Sequence, residues 1–188
     1  TAKFAEEGFA PDNVRISAFI KNMPEILSAA DITVSRSGAL STAETTMEGR
    51  AAIFSDCGTG KTIMQLDFAR LVCKHTGGRA LIIAPLSVVK QTQKEGRKFG
   101  IESNVCRNAD DVKAGINITN YEMIEHFETS VFSGIVLDES SILKSFTSKT
   151  TGQLTDLFIN TPYKLLCSAT IAPNDFTEIG TTCEFLGI

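Results

Sequence analysis

The chain has 188 residues, of which 43% are hydrophobic and 21% charged, with a formal net charge of −4. A disordered chain would be poorer in apolar residues and richer in net charge, so this class is excluded. At roughly 150 residues per domain, the length predicts one domain, or one domain with an appendage. No apolar run approaches the ~20 residues of a membrane helix and no signal-peptide pattern opens the chain, so we expect a cytoplasmic protein with no membrane partner.

The number of cysteines and the negative net charge indicate in which compartment the protein works and which partners it can bind. Five cysteines occur, an odd number without any C-x-x-C pair. This usage favours reduced thiols in the cytosol over a disulfide framework. The negative net charge argues against a globally basic nucleic-acid coat, but a local basic groove remains compatible with it.

In chain order, short apolar runs alternate with segments of helical length. The predicted strands are 14–18, 32–35, 51–55, 80–84, 116–119, 134–137 and 164–167. The predicted helices are 24–30, 39–47, 61–74, 88–99, 121–127 and 150–158. Several strands are continuous apolar runs, which is typical of strands covered on both faces. The alternation predicts an α/β fold: a mainly parallel sheet with helices on both faces and ligands at the carboxyl ends of the strands.

The sharpest local signal is the segment Ser55-Asp-Cys-Gly-Thr-Gly-Lys-Thr62, which lies between a predicted strand and a predicted helix. Its glycines let backbone N–H groups turn toward phosphate oxygens, and the following helix adds its N-terminal partial charge. In such a loop the lysine neutralises the β- and γ-phosphates and the final threonine binds Mg²⁺. The first position carries serine where glycine is usual, and the alternative is a glycine-rich turn that happens to precede a lysine. The predicted nucleotide-binding residues are Cys57, Gly58, Thr59, Gly60, Lys61 and Thr62.

An acidic pair follows the predicted strand 134–137. We expect Asp138 to hold Mg²⁺ through its water shell, together with the Thr62 hydroxyl. Glu139 would orient and deprotonate the attacking water, which makes Glu139 and Lys61 the catalytic candidates. An acidic pair at a strand end is by itself also compatible with a helix N-cap. Its combination with the phosphate loop favours a nucleotide site that uses ATP and Mg²⁺.

Five sequence blocks occur in order over about 140 residues: 56–62, 84–92, 119–122, 138–141 and 168–170. They resemble motifs I, Ia, Ib, II and III of the first RecA-like lobe of superfamily-two helicases. Within these, residues 48–188 look like the Swi/Snf-like DEAD/DEAH-box helicases of phages. The fourth block, Asp138-Glu-Ser-Ser141, departs from D-E-A-D and D-E-A-H by ending in two serines.

The resemblance implies an ATP-binding lobe that acts on nucleic acid, with DNA favoured over RNA, in a bacterium or a phage-infected host. It implies coupling roles for Ser168, Ala169 and Thr170. The implied nucleic-acid contacts are Pro85, Ser87, Gln91, Thr119 and Asn120. The second RecA-like lobe, which supplies arginine fingers in such motors, is an implied partner. We therefore expect weak hydrolysis and no unwinding by this chain alone.

Four basic residues, Lys90, Lys94, Arg97 and Lys98, share one face of the predicted helix 88–99. Such a stripe is compatible both with a nucleic-acid contact and with a solvated surface. The two histidines, His75 and His126, have no neighbouring ligand set, so we expect no zinc site.

The first 47 residues have a different pattern. Segments 14–23, 30–31 and 35–44 resemble the C-terminal half of the peptidoglycan glycosyltransferases that add N-acetylglucosamine to a lipid-linked muramyl-peptide. The resemblance implies a β-α-β-α piece whose Ser37-Gly38-Ala39 turn approaches a diphosphate and whose Glu44 accepts ribose hydroxyls. It ends after Glu44, which favours a chimera: a 1–47 appendage joined to a 48–188 helicase lobe. Two alternatives stay open, a nucleotide-sugar-binding fragment and a non-catalytic, nucleotide-dependent interaction module.

Overall fold

The computed structural model describes residues 49–55, 58–138, 148–169 and 177–187. All of these lie within one compact unit, Asp31–Ile188. The predicted strands and helices before residue 48 lie outside the described residues, so the N-terminal appendage stays a prediction. None of the described helices is both long and apolar enough to span a membrane.

Strands and helices alternate along the described chain. The strands are β1 Arg50–Phe54, β2 Arg79–Ala84, β3 Ser103–Val105, β4 Gly115–Asn120, β5 Phe132–Leu137 and β6 Tyr163–Ser168. The helices are α1 Lys61–Thr76, α2 Leu86–Lys98, α3 Ser148–Leu157 and α4 Thr177–Leu186. Short 3₁₀ helices occupy Ala109–Asp111, Tyr121–His126 and Thr129–Val131.

The described strands form one parallel sheet in the order β1-β6-β5-β2-β4-β3. The carboxyl ends of β1, β5 and β6 are therefore neighbours at one edge of the sheet. In register, Leu137 of β5 lies beside Leu166 of β6, and Ile83 of β2 lies beside Leu137. This arrangement confirms the α/β fold predicted from the alternation of elements.

Two apolar clusters cover the two faces of the sheet. On one face, Leu66, Phe68 and Val72 of α1 pack with alternate strand residues such as Ile82. On the other face, Leu81 lies with residues of α3 and α4, among them Phe185. Successive residues of β2 thus enter opposite clusters, as the two-residue period of a strand requires. Helices on both faces are the arrangement that the continuous apolar strands predicted.

A glycine lets α1 lie close to β5. A Cβ added at Gly134 would meet Cγ1 of Val72 at 2.8 Å, closer than real Cβ contacts allow. Any larger residue at this position would push α1 away from the sheet. The close packing matters for the site because α1 carries the residues that follow the phosphate loop.

Three elements differ from the sequence predictions. The segment predicted as helix 121–127 is a 3₁₀ helix, Tyr121–His126, a geometry common in short connectors. The strand β3 was missed because its Ser-Asn-Val sequence has three residues and no apolar alternation. The helix α4 was missed because Thr-Glu-Ile-Gly-Thr-Thr-Cys is rich in residues of low helix propensity.

Candidate nucleotide-binding site

The phosphate loop connects β1 to α1. Gly58 and Gly60 have φ values of 79° and 89°, in the left-handed region that glycine adopts without strain. Gly60 is the N-cap of α1, and no side chain caps this end of the helix. The first turn of α1 contains no acidic residue. Neither a capping side chain nor an acidic residue therefore opposes an anion at this end of the 16-residue helix.

Ser55 organises the start of the loop. Its Oγ is 2.5 Å from Oγ1 of Thr59, and Nζ of Lys61 donates a hydrogen bond to its carbonyl oxygen. Its own N–H donates to the carbonyl of Ser168 at the end of β6, at 3.0 Å. Serine in place of the usual glycine thus adds a side-chain contact across the loop. The same residue connects the loop to the predicted coupling segment.

Asp138, which directly follows β5, is held at three points. Its N–H donates to the carbonyl of Ile83 at 2.8 Å, and its carbonyl accepts from the Tyr121 hydroxyl at 2.7 Å. Its Oδ1 accepts from Nε2 of Gln65 at 2.6 Å. Because Gln65 belongs to α1, this last bond brings the predicted metal-holding carboxylate to the helix that begins at the phosphate loop.

Gln65 is a site residue that sequence reasoning missed. Its side chain is fully buried, and its Oε1 finds no hydrogen-bond partner among the described residues. The available signal was a polar residue between two buried apolar ones, Met64 and Leu66, on a helix that otherwise packs by apolar contacts. A buried amide at such a position needs partners, which points to a polar neighbour across the sheet.

The thiol of Cys167 adjoins the same group of side chains. Burial raises its pKa above the ordinary value, and the negative charge of Asp138 raises it further. A hydrogen bond from Gln65 and the positive charge of Lys61 act in the opposite direction. The thiol therefore stays protonated at neutral pH. Two of the three groups come from α1 and the third directly follows β5, so Cys167 of β6 lies close to side chains from both elements.

The donor set suits Mg²⁺. Thr62 lies three positions before Gln65, so both belong to the same face of α1, the face that reaches Asp138. A hydroxyl and a carboxylate are the oxygen ligands that Mg²⁺ prefers, and the unpartnered Gln65 Oε1 adds an acceptor for a metal-bound water. Among the described residues, no three His, Cys, Asp or Glu side chains cluster to hold a metal. A set with one carboxylate is typical of Mg²⁺ bound together with substrate phosphates.

Of the other predicted nucleotide-site residues, some are described by the structure and some are not. Ser168 is buried at the end of β6 and Ala169 beyond it is partly exposed, both at the carboxyl edge. Cys57, Glu139 and Thr170 lie outside the described residues. The general-base role of Glu139 and the coupling roles therefore stay predictions.

The predicted nucleic-acid contacts lie at the carboxyl ends of β2 and β4, where Ala84 pairs with Asn120. Pro85 is the N-cap of α2, and Ser87 and Gln91 are exposed on that helix. In contrast, Thr119 is fully buried and Asn120, 7% exposed, donates its amide to Glu122. The structure thus collects these residues at one edge, with the α2 members at the surface and the β4 members beneath it.

The basic residues of α2 are all exposed. Lys98 pairs with Glu95 at 2.8 Å, and Arg97 lies 3.9 Å from Glu102. Within the described part of the chain, Lys90 and Lys94 have no ion pair. The positive charge at the start of α2 is therefore less compensated than the charge at its end.

Comparison with known proteins gives two separate results. A family model, the glycosyltransferase family 28 C-terminal domain, matches residues 1–81. A curated relative from Bacillus cytotoxicus, a UDP-N-acetylglucosamine--N-acetylmuramyl-(pentapeptide) pyrophosphoryl-undecaprenol N-acetylglucosamine transferase, is 54% identical over 43 residues. Those residues are 23% of this chain and 12% of that relative.

Solved structures resemble the chain through its fold. A SWI2/SNF2 ATPase core of Sulfolobus solfataricus in complex with dsDNA has 21% identity, a TM-score of 0.64 and coverage of 77% of this chain and 32% of that one. The UvsW helicase of bacteriophage T4 has 16% identity, a TM-score of 0.62 and coverage of 96% and 72%. The Hef helicase domain of Pyrococcus furiosus has 18% identity, a TM-score of 0.63 and coverage of 79% and 36%. The chain therefore has the fold of a RecA-like helicase lobe, and both resemblances seen in the sequence are confirmed.

Proposed function

We propose that residues 48–188 form the ATP-binding lobe of a nucleic-acid-dependent helicase or translocase. One observation carries the proposal: the Asp138 carboxylate is joined to α1 one turn after the phosphate loop. This bond supports the proposal, because it brings the acid that we expect to hold the metal close to the loop that we expect to bind phosphates.

Each residue in this proposal has a distinct task. The uncapped N-terminus of α1 and the glycine turns bind phosphate oxygens, and Lys61 neutralises their charge. Thr62 and Asp138 hold Mg²⁺, which when bound offsets negative charge on the phosphates. Glu139 positions and deprotonates the attacking water. Hydrolysis by the lobe alone is weak, because in such motors a second lobe supplies the arginine that stabilises the transition state.

Nucleic acid binds along the start of α2 in this proposal. Ser87 and Gln91 donate to phosphates, and the uncompensated charges of Lys90 and Lys94 attract the backbone without reading its sequence. DNA is favoured because the Sulfolobus ATPase core of similar fold is described in complex with dsDNA. Coupling between this surface and the nucleotide runs through Ser168, whose carbonyl accepts from Ser55 of the loop.

Replacing Lys61 tests nucleotide binding. Lys61→Ala removes a charged donor that contributes about 1.5–3 kcal/mol, so the affinity for Mg²⁺-ATP should fall at least about tenfold. A fluorescent ATP analogue titrated against the purified chain measures the change. Lys74→Ala, at an exposed position in the last turn of the same helix, is the matched control. Equal affinity of Lys61→Ala and the control would contradict the proposal.

Salt dependence tests the nucleic-acid surface. The double variant Lys90→Ala/Lys94→Ala should bind duplex DNA more weakly and reduce the slope of log K against log salt by about 2, since each phosphate contact contributes roughly 0.9. Lys113→Ala, exposed before β4, serves as the control. An unchanged slope would show that α2 is not part of the nucleic-acid interface. In a separate assay, strong steady-state unwinding by the purified chain would contradict the expected weak hydrolysis.

A second candidate concerns the N-terminal part. The family match over residues 1–81 includes the whole 1–47 segment and favours binding of a uridine-diphosphate sugar by that segment. Since the matching segment covers only 12% of the curated relative, glycosyl transfer is not part of this candidate. Lys61→Ala separates the two functions, because it should abolish ATP binding and leave uridine-diphosphate-sugar binding unchanged. ATP binding without turnover, with or without DNA, would instead favour a non-catalytic interaction module.

A further inference from the structure

We infer that Gln65 is the positioning residue of the magnesium site. Its amide N–H holds the carboxylate of Asp138, and its amide oxygen accepts a hydrogen bond from metal-bound water when the site is filled. The inference rests on the proposed function and adds to it a residue that lies outside all five sequence blocks. Gln65 acts through Asp138 and the metal's water shell.

The first support is the bond to Asp138. Nε2 of Gln65 lies 2.6 Å from Oδ1 of Asp138, a short distance that is typical of a hydrogen bond to an ionised acceptor. Gln65 is fully buried, whereas Asp138 is partly exposed. The glutamine is therefore the fixed member of the pair, and it sets the direction in which the carboxylate points.

The second support is the other end of the same amide. Oε1 of Gln65 is buried and finds no hydrogen-bond partner among the described residues, although it has two lone pairs. Buried polar atoms nearly always have a hydrogen-bond partner, so a buried acceptor without one indicates that a bound ligand supplies the donor. Its sequence neighbours Met64 and Leu66 are apolar and offer no side-chain N–H or O–H. The water molecules around Mg²⁺ are donors, and Asp138 is the residue that would hold them.

The third support is that the surroundings are closed. The adjacent Cys167 is fully buried, so this side of the site is shielded from bulk water. In a shielded volume, hydrogen bonds to a metal's water shell depend on the few groups that are present. Residues of this type orient the ligands of metal sites, and their loss typically lowers metal affinity about 10–100-fold.

The test compares nucleotide affinity in Mg²⁺ and in EDTA. Gln65→Met keeps the size of the side chain and removes both polar atoms. We expect the ratio of the two affinities to fall at least about tenfold, while the affinity in EDTA stays within about twofold of the wild type. The matched control is Gln93→Met, since Gln93 is also a helical glutamine that donates through Nε2, in its case to the carbonyl of Ser103 at 2.8 Å.

The outcomes separate the inference from the function beneath it. A wild type that binds no nucleotide refutes the proposed function and the inference with it. A wild type whose Mg²⁺ dependence persists in Gln65→Met refutes the inference alone. An equal loss of affinity in Mg²⁺ and in EDTA also refutes it, because a merely structural glutamine would act in that way.

A measurement on the unmodified chain covers the case in which Gln65→Met does not fold. At 20.3 kDa the protein is small enough for its side-chain amides, including that of Gln65, to be followed in a ¹H–¹⁵N spectrum. We expect the Gln65 amide signals to shift when Mg²⁺ is added to the ADP-bound chain, and the Gln93 amide signals to stay in place. Unshifted Gln65 signals would overturn the inference.

Discussion

Two fully buried side-chain amides lie in different parts of the lobe, Asn117 on β4 and Gln65 on α1. Asn117, in the first half of β4, is saturated: its Nδ2 donates to the carbonyls of Lys113 and Gly115, and its Oδ1 accepts from the Lys113 N–H and from Nδ2 of Asn104. Gln65, near the carboxyl edge, donates to Asp138 and leaves its oxygen without a partner among the described residues.

The difference teaches how to tell a structural polar group from a functional one. A buried amide with a structural role has hydrogen-bond partners for both its donors and its acceptor, because an unpaired buried polar atom lowers stability. A buried amide that serves a ligand can be incomplete until the ligand arrives. By this criterion, folding alone completes the hydrogen bonding of Asn117, whereas the hydrogen bonding of Gln65 would be completed by a bound ligand.

Substitution of the two amides should give the largest contrast. Asn117→Leu removes four hydrogen bonds and strands their backbone partners, so we expect the free energy of unfolding to fall by about 3 kcal/mol. Gln65→Met removes the bond to Asp138, the contact with the Cys167 thiol and an oxygen that has no partner in the described part of the chain. The exposed side of Asp138 can turn to water, so a change below about 1 kcal/mol is expected. Urea unfolding of both variants measures this, and equal losses would break the comparison.

The seating of α1 on β5 provides the next largest effect. Gly134→Ala would bring a Cβ to 2.8 Å from Val72, and overpacking of this kind should cost about 1–3 kcal/mol. Because Val72 and Gln65 share α1, the Mg²⁺ dependence of nucleotide affinity should weaken as well. The control is Gly152→Ala on α3, where a Cβ meets nothing within 4 Å and alanine should stabilise the helix by about 1 kcal/mol. If Gly134→Ala changed neither the stability nor the Mg²⁺ dependence of nucleotide affinity, the site would tolerate movement of α1.

The Tyr121 hydroxyl tests how firmly the fold itself fixes Asp138. Tyr121→Phe removes the 2.7 Å bond to the Asp138 carbonyl and should lower the free energy of unfolding by about 1 kcal/mol. The Mg²⁺ dependence should change less than in Gln65→Met, since the carboxylate keeps its glutamine. Thermal unfolding and nucleotide titration report the two quantities, with Tyr163→Phe at the far end of β6 as the reference. A Tyr121→Phe defect in Mg²⁺ dependence that equals the Gln65→Met defect would assign the positioning to the backbone.

The smallest expected effect concerns a thiol in the structural region. Burial raises the pKa of Cys106 from its ordinary value of 9.0 to about 11, and Asp111 adds to the shift. Between these values the unfolded chain has lost a proton that the folded chain keeps, so stability must decrease as the pH rises above about 9. Cys106→Ala should flatten the dependence of the unfolding midpoint on pH between 9 and 11. An identical slope in wild type and variant would contradict this assignment.

Much of this arrangement follows from local sequence. The strands β2, β5 and β6 are apolar runs bounded by polar residues, and the phosphate loop and Asp138 each follow such a run directly. Their proximity was predictable because parallel strands place their carboxyl ends at one edge. The prediction of this edge needed only the order of elements.

Other features depend on contacts between distant segments and have no local signature. The bond between Gln65 and Asp138 joins residues 73 positions apart, and nothing in the sequence around either residue specifies the other. The burial of Thr119 was missed because a threonine fits equally well on the surface or within a strand. The element α4 has weak helix propensity, and its Phe185 carbonyl accepts a hydrogen bond from the buried Lys164 at 2.9 Å.

The order of the strands also bears on how the molecule acquires its site. Among the described strands, β1 pairs only with β6, so Ala52 finds its neighbour Leu166 across more than a hundred intervening residues. Closing so large a loop costs entropy that local contacts do not return, and contacts of this kind form late. The phosphate loop directly follows β1, and β1 pairs with β6. The loop can therefore reach its final position only after β6 has been synthesised and has paired with β1. During synthesis, the nucleotide would meet a competent loop only when nearly the whole lobe has emerged from the ribosome.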